Sequence, residues 1–172
     1  MPVRVLFQDE SRFGRISDQR RCWGPCAQRA TVAGQIIRES VYALAAVSPA
    51  DGELSALIMP WVNAETMSVF LAHTAAAYPG EFCVMFLDAA GWPIANDLRI
   101  PHRMSLAFLP PYSPELNPVE HLWDHIREND FGNHAFATLD DVETRLCEAL
   151  SRLMSQLALV RSLTSFDWMN TL

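Results

Sequence analysis

Apolar, β-branched and aromatic residues gather into four short runs that read as strands, at residues 3–8, 41–47, 54–60 and 82–87. Pro49, Asp51 and Gly52 between the second and third runs supply a hairpin turn. A fifth short strand covers 105–109 and stops at Pro110-Pro111. Between 63 and 78 the period becomes helical. Met67, Phe70, Leu71, Thr74 and Ala75 share one face, Asn63 serves as N-cap, and Pro79-Gly80 ends the helix. A second helix is expected from Asn117, with Pro118 at its first position. A third begins near Thr138, capped by its hydroxyl, and carries Leu139, Val142, Leu146, Leu150, Leu153 and Leu157 inward. An antiparallel start followed by helical crossovers predicts an α/β domain: a mixed five-stranded sheet flanked by helices.

The length of 172 residues suits one domain, and a composition half hydrophobic excludes disorder. No apolar run is long enough to cross a bilayer, and a signal peptide is not indicated. Cys22, Cys26, Cys83 and Cys147 are few for the length and point to a reducing compartment. Cys22-x-x-x-Cys26 lacks a second Cys or His pair, and His121 with His125 lacks a third ligand, so zinc is not indicated. The net charge of -7 at first argues against nucleic acid. Its distribution changes that picture. All 13 basic residues are arginine, and the first 38 residues hold seven of them against Asp9, Glu10 and Asp18. Arg12, Arg15, Arg20, Arg21 and Arg29, interleaved with Phe13 and Trp23, form the best candidate DNA-backbone patch. A scattered, solvated loop is the alternative.

Three acids stand out by position. Asp9 follows the first strand, Asp88 ends the 82–87 strand, and Glu120 lies in the first turn of the helix expected from Asn117. An acid terminating an apolar strand is costly unless it is solvated, hydrogen-bonded or bound to a cation. If the first and fourth strands are neighbours, Asp9 and Asp88 meet at one end of the sheet, where converging hard oxygens suit Mg²⁺. Each acid also has an ordinary reading. Asp9 and Asp88 are turn formers, and Asn117-x-x-Glu120 is close to a capping box. Glu10 and Asp124 are the nearest substitutes. Strand alternation turns Glu10 to the opposite face, and Asp124 stands one turn beyond Glu120. Trp123 reads as a core residue beside Leu122 and Ile126.

The segment Leu109-Pro-Pro-Tyr-Ser-Pro-Glu-Leu-Asn-Pro-Val-Glu-His-Leu-Trp123 closely resembles the third-acid motif of DDE-superfamily endonucleases in mariner-like bacterial insertion-sequence transposases. Gln8-Asp-Glu-Ser-Arg-Phe-Gly14 is similar to that family's first-acid segment, and Leu87-Asp-Ala-Ala-Gly-Trp92 to its second. Arg21-Cys-Trp-Gly-Pro25 and Pro49-Ala-Asp-Gly-Glu-Leu-Ser-Ala-Leu57 also resemble segments of these proteins. Pro93 departs from the histidine common in relatives.

The resemblance implies a ribonuclease-H-like fold with Asp9, Asp88 and Glu120 as catalytic triad and metal ligands. It further implies two Mg²⁺ ions, with Mn²⁺ as a substitute, Asp9 bridging them, and DNA strand cleavage followed by strand transfer. The expected partners are transposon ends and target DNA, with a homodimer or a separate N-terminal DNA-binding subunit. The expected location is the bacterial cytoplasm at the nucleoid, with no membrane. Relatives carry N-terminal helix-turn-helix modules, whereas this sequence opens at the first catalytic strand. Residues 1–172 are therefore expected to be a catalytic domain alone. The alternatives are an inactive remnant, an accessory subunit of a full-length transposase, or another ribonuclease-H-like nuclease acting on RNA or hybrids.

Overall fold

The computed structural model describes residues 1–28, 31–88 and 97–166. The chain runs through β1 (Val3–Ile16), β2 (Ile36–Val47), β3 (Leu54–Met59), α1 (Ala64–Ala77), β4 (Phe82–Leu87), β5 (Met104–Phe108), α2 (Val119–Ile126), α3 (Leu139–Met154) and α4 (Leu157–Thr164). The strands form one sheet in the order β3-β2-β1-β4-β5. The first three are antiparallel, while β4 and β5 run parallel to β1. This is the mixed five-stranded sheet expected from the pattern.

Strand alternation divides the core into two layers. Leu6, Leu44, Ala46, Met85 and Leu87 pack beneath α1 against Met67, Phe70 and Leu71. Phe7, Phe13, Ala43, Ala45 and Val47 face the other way, against Leu122, Trp123 and Ile126 of α2 and Leu146, Leu150 and Leu153 of α3. Reciprocal caps set the starts of two helices. The Thr66 N–H donates to Asn63 Oδ1 at 2.9 Å, and the Asn63 N–H returns to Thr66 Oγ1 at 3.0 Å. Thr138 and Asp141 repeat the arrangement at α3, with distances of 3.1 and 2.9 Å. No described helix is long and apolar enough to cross a membrane.

Three elements differ from the sequence pattern. First, β1 continues to Ile16, and β2 begins at Ile36 rather than at 41. The polar stretch Asp9 to Arg12 looks turn-prone, but it pairs residue by residue with Ala45 to Tyr42, and the ladder overrides local preference. At Gly14 the strands approach so closely that a Cβ would lie 2.4 Å from the Glu39 carbonyl oxygen. Second, α2 starts at Val119, with Asn117 outside it. Third, the expected last helix is two. The Gln156 backbone leaves the helical region at φ −118° and ψ 62°, its N–H turns to the Leu153 carbonyl at 2.9 Å, and Leu157 opens α4, 45% exposed instead of buried.

The placement of the parallel partner matters most for function. β4 pairs with β1 only from Val3 to Phe7, so beyond Phe7 β1 is bonded on one side alone, to β2.

Candidate active site

In the β1–β4 register Phe7 stands opposite Phe86. Two more residues along each chain bring Asp9 level with Asp88, just past the end of the parallel ladder. Asp9 shares strand parity with Phe7 and Phe13, so its side chain faces the layer that holds α2. Glu120 comes from the first turn of that helix.

Asn117 holds the helix in place. Its buried Nδ2 donates to the Gln8 carbonyl at 3.0 Å, tying the start of α2 to the residue before Asp9. Its Oδ1 accepts the Val119 N–H at 3.3 Å. The Asn117–Glu120 capping box is therefore not formed: Asn117 is spent on β1, and α2 has no reciprocal side-chain cap. Glu120 is left to the site.

Trp123 is buried, edge-on to Phe13 at 5.9 Å between ring centroids, as its core reading required. It also does something the pattern did not show. Its indole N–H donates to Asp9 Oδ2 at 2.8 Å. Burial, then the charges of Glu120 and Glu10, push Asp9 up to about 7, against the lowering effect of the Trp123 bond and the Glu10 N–H. Glu120 is also raised, first by burial and then by Asp124, Asp88 and Glu10, while Arg127 opposes the rise. Glu120 thus couples to both other acids. Arg127, which the sequence reading did not single out, lies over the Phe13 ring at 5.5 Å and bonds Ser11 Oγ. It is the cation nearest in effect to Glu120, and it comes from a π turn, residues Arg127–Phe131, that extends α2.

Among the described residues no three carboxylate, imidazole or thiol groups already stand at metal-ligand spacing. The acids form an open set, from a strand interior, a strand end and a helix start. Their donors are hard oxygens, and Asp9, raised first by burial and then by its acidic neighbours, is a site whose charge a bound cation would offset, which fits Mg²⁺ or Mn²⁺. The sulfur and imidazole groups go elsewhere. Cys22 and Cys26 are free and exposed, and the His121 Nδ1–H donates to the Leu163 carbonyl at 2.9 Å.

The five arginines of the expected DNA patch are in different situations. Arg15 bonds Glu39 at 2.7 Å and the carbonyls of Phe136 and Ala137, fastening β1 to the approach to α3. Arg20 pairs with Asp18 at 2.9 Å and lies 3.9 Å from Glu128. Arg12 and Arg21 are exposed and pair with no carboxylate among the described residues. Arg29 lies outside the described residues, as do Trp92 and Pro93. Trp23 is fully exposed.

Residues 4–143 match a family model described as DDE superfamily endonuclease. An uncharacterized protein, y4pE/y4sA of Sinorhizobium fredii (strain NBRC 101917 / NGR234), is 37% identical over 128 residues, covering 74% of this chain and 95% of that protein. Among solved structures, the Mos1 strand transfer complex aligns with a TM-score of 0.63 at 15% identity, over 95% of this chain and 55% of that one. The Mos1 mariner paired end complex with Mn gives 0.59 at 15% identity, over 95% and 56%. At that identity the likeness is one of fold: a mixed sheet with flanking helices, of ribonuclease-H-like type. The chain spans about half the length of those solved chains.

Proposed function

This chain belongs to the DDE superfamily of endonucleases, and from that premise we propose that it is the catalytic domain of a bacterial insertion-sequence transposase, cutting and joining DNA strands. The observation that carries the reading is that Asp9, Asp88 and Glu120 come from three separate elements to one end of the sheet, where burial and then Glu120 and Glu10 push Asp9 up to about 7 and Asp88 helps raise Glu120.

Two divalent ions, when bound, supply activation of the attacking oxygen and stabilisation of the leaving oxygen. Two of the similar Mos1 structures are paired end complexes with Mn and with Mg, which supports that choice of cation. Asp9, Asp88 and Glu120 would hold the ions; Trp123 holds Asp9 Oδ2 at 2.8 Å and so sets the direction of Oδ1. Arg127, held by Ser11 and Phe13, keeps a positive charge beside Glu120. Arg12 and Arg21 remain the candidates for backbone phosphate contact, since their heads reach solvent. No covalent enzyme intermediate is required.

The test is a nicking assay on end-labelled duplex DNA, with an RNA–DNA hybrid alongside. Asp9→Ala, Asp88→Ala and Glu120→Ala should each abolish Mg²⁺-dependent cleavage of DNA while the protein stays folded. Cleavage that persists in any one of them removes that residue from the set. Preference for the hybrid removes the transposase reading.

A further inference from the structure

Strand β3 is an outer edge of the sheet, bonded to β2 on one side only. The Ser48 N–H bonds the Glu53 carbonyl at 2.8 Å, so the ladder bonds fall on Ser55, Leu57 and Met59. Leu54, Ala56 and Ile58 therefore turn their N–H and C=O groups outward, where they meet no partner among the described residues. Sheets normally protect such an edge with a charge, a proline or a bulge. The strand Leu54–Met59 holds no charge and no proline, and it pairs with β2 without a register shift.

The edge forms the floor of a groove between two helices. On one side, Ser55 Oγ and Thr74 Oγ1 share a buried hydrogen bond of 3.2 Å that ties α1 to the strand. On the other, Leu54 and Ile58 pack against the cluster that holds Leu146, Leu150 and Leu153 of α3. A cavity of about 590 Å³ opens beside Ile58, Met59 and α3. Another of about 390 Å³ opens beside Leu54, lined by His73 and Met154. The rim is acidic. Glu143 and Glu148 are exposed at the first cavity and make no ion pair among the described residues. Glu53, at the second, lies 3.5 Å from Arg4.

We propose that the β3 edge is a docking site for an extended peptide segment of a protein partner, apolar at alternate positions and flanked by arginine or lysine. The outward N–H and C=O groups supply backbone bonds to the added strand, the cavities take alternate side chains, and Glu143 and Glu148 meet the basic flanks. A second copy of the chain fits worse. Two β3 edges together would set Glu53, Glu143 and Glu148 against their own equivalents, between chains of net charge -7. A nucleic acid backbone fits no better, since the rim repels phosphate. With β2 between β3 and β1, the added strand leaves the three acids open, and the site stands apart from the nuclease reading.

The test is a titration of the full chain with a fluorescent synthetic peptide of alternating valine and threonine flanked by arginines, followed by anisotropy. Two further probes are the same peptide with glutamate flanks, and with the backbone amides along one edge N-methylated. N-methylation should weaken binding by on the order of tenfold, the loss of one or more hydrogen bonds. Glutamate flanks should weaken it severalfold, and Glu143→Arg with Glu148→Arg should reverse that preference. Ile58→Pro removes an N–H that serves no bond within the sheet, so it should fold and bind the arginine peptide less well. The N-methylated probe alters only the peptide, so it decides the matter even if Ile58→Pro does not fold. No binding, equal binding of the N-methylated peptide, or indifference to the flanks overturns the proposal. A dimer that Ile58→Pro dissociates also overturns it and gives the edge to a second copy.

Discussion

Asp9→Asn should stabilise the metal-free protein at alkaline pH while destroying its chemistry. In the folded chain Asp9 is pushed up from the usual 3.8 to about 7, chiefly by burial and then by Glu120 and Glu10. Below pH 3.8 the residue is protonated folded or unfolded and costs nothing. As pH rises toward 7 the unfolded chain releases the proton and the folded one retains it, so stability falls; above 7 the loss is constant. At roughly 1.4 kcal/mol per pKa unit, the full loss is about 4 kcal/mol. Asparagine keeps the shape and an oxygen for the Trp123 N–H but removes the charge. Its melting temperature at pH 8 in EDTA should therefore exceed that of wild type by roughly 10 °C, with the gap closing toward pH 4. Added Mg²⁺ should raise the wild-type melting temperature at pH 8 and leave Asp9→Asn unmoved. Thermal unfolding from pH 4 to 8, with and without Mg²⁺, reads all of this. The reasoning fails if Asp9→Asn melts at or below wild type at pH 8 in EDTA.

Trp123→Phe keeps a ring against Phe13 but deletes the donor to Asp9, so Asp9 should titrate higher still and bind metal less well. The Mg²⁺ concentration for half-maximal cleavage should rise on the order of tenfold at pH 7, in line with the loss of a hydrogen bond to a charged group. Because the competing proton is then gone, the deficit should shrink at pH 9; an equal deficit at both pH values would mean a packing defect only. Asn117→Ala leaves the buried Gln8 carbonyl without its donor and frees the start of α2, at a cost of about 1–3 kcal/mol. Urea unfolding checks that figure, and an unchanged midpoint would show that the bond does not hold the helix.

What was legible in the sequence follows how local each signal is. Strand β4, the Asn63 cap and the Thr138 cap could all be read from a few adjacent residues, and the structure has them where expected. The adjacency of β1 and β4 was a condition that the sequence left open, and the parallel ladder from Val3 to Phe7 meets it. The extension of β1 to Ile16 was hidden. Asp9-Glu10-Ser11-Arg12 has turn-like composition, and only its partner on β2 makes it a strand. Leu157 continued an apolar period across Ser155-Gln156, yet the Gln156 backbone left the helical region and its N–H turned to the Leu153 carbonyl, which broke the helix. At the site, the three acids stood out as candidates, but the contacts that support Asp9 and α2 did not. The Trp123–Asp9 bond joins residues 114 apart, and the Asn117–Gln8 bond residues 109 apart. Arg127 likewise gains its meaning only from Ser11 and Phe13 across the fold.

The overshoot of β1 beyond β4 makes one strand a member of two mechanical bodies. Val3 to Leu6 is laddered to β4 alone, Phe7 is held on both sides, and Gln8 to Arg12 forms the edge of the antiparallel part with β2 and β3. Only from Phe13 to Ile16 is the strand half of a two-stranded ribbon that bends and twists far more easily. Asp9 sits two residues beyond the seam at Phe7. The anchor to Trp123 ties the first acid to α2, so that the outer ribbon can flex against a load without dragging the carboxylate with it.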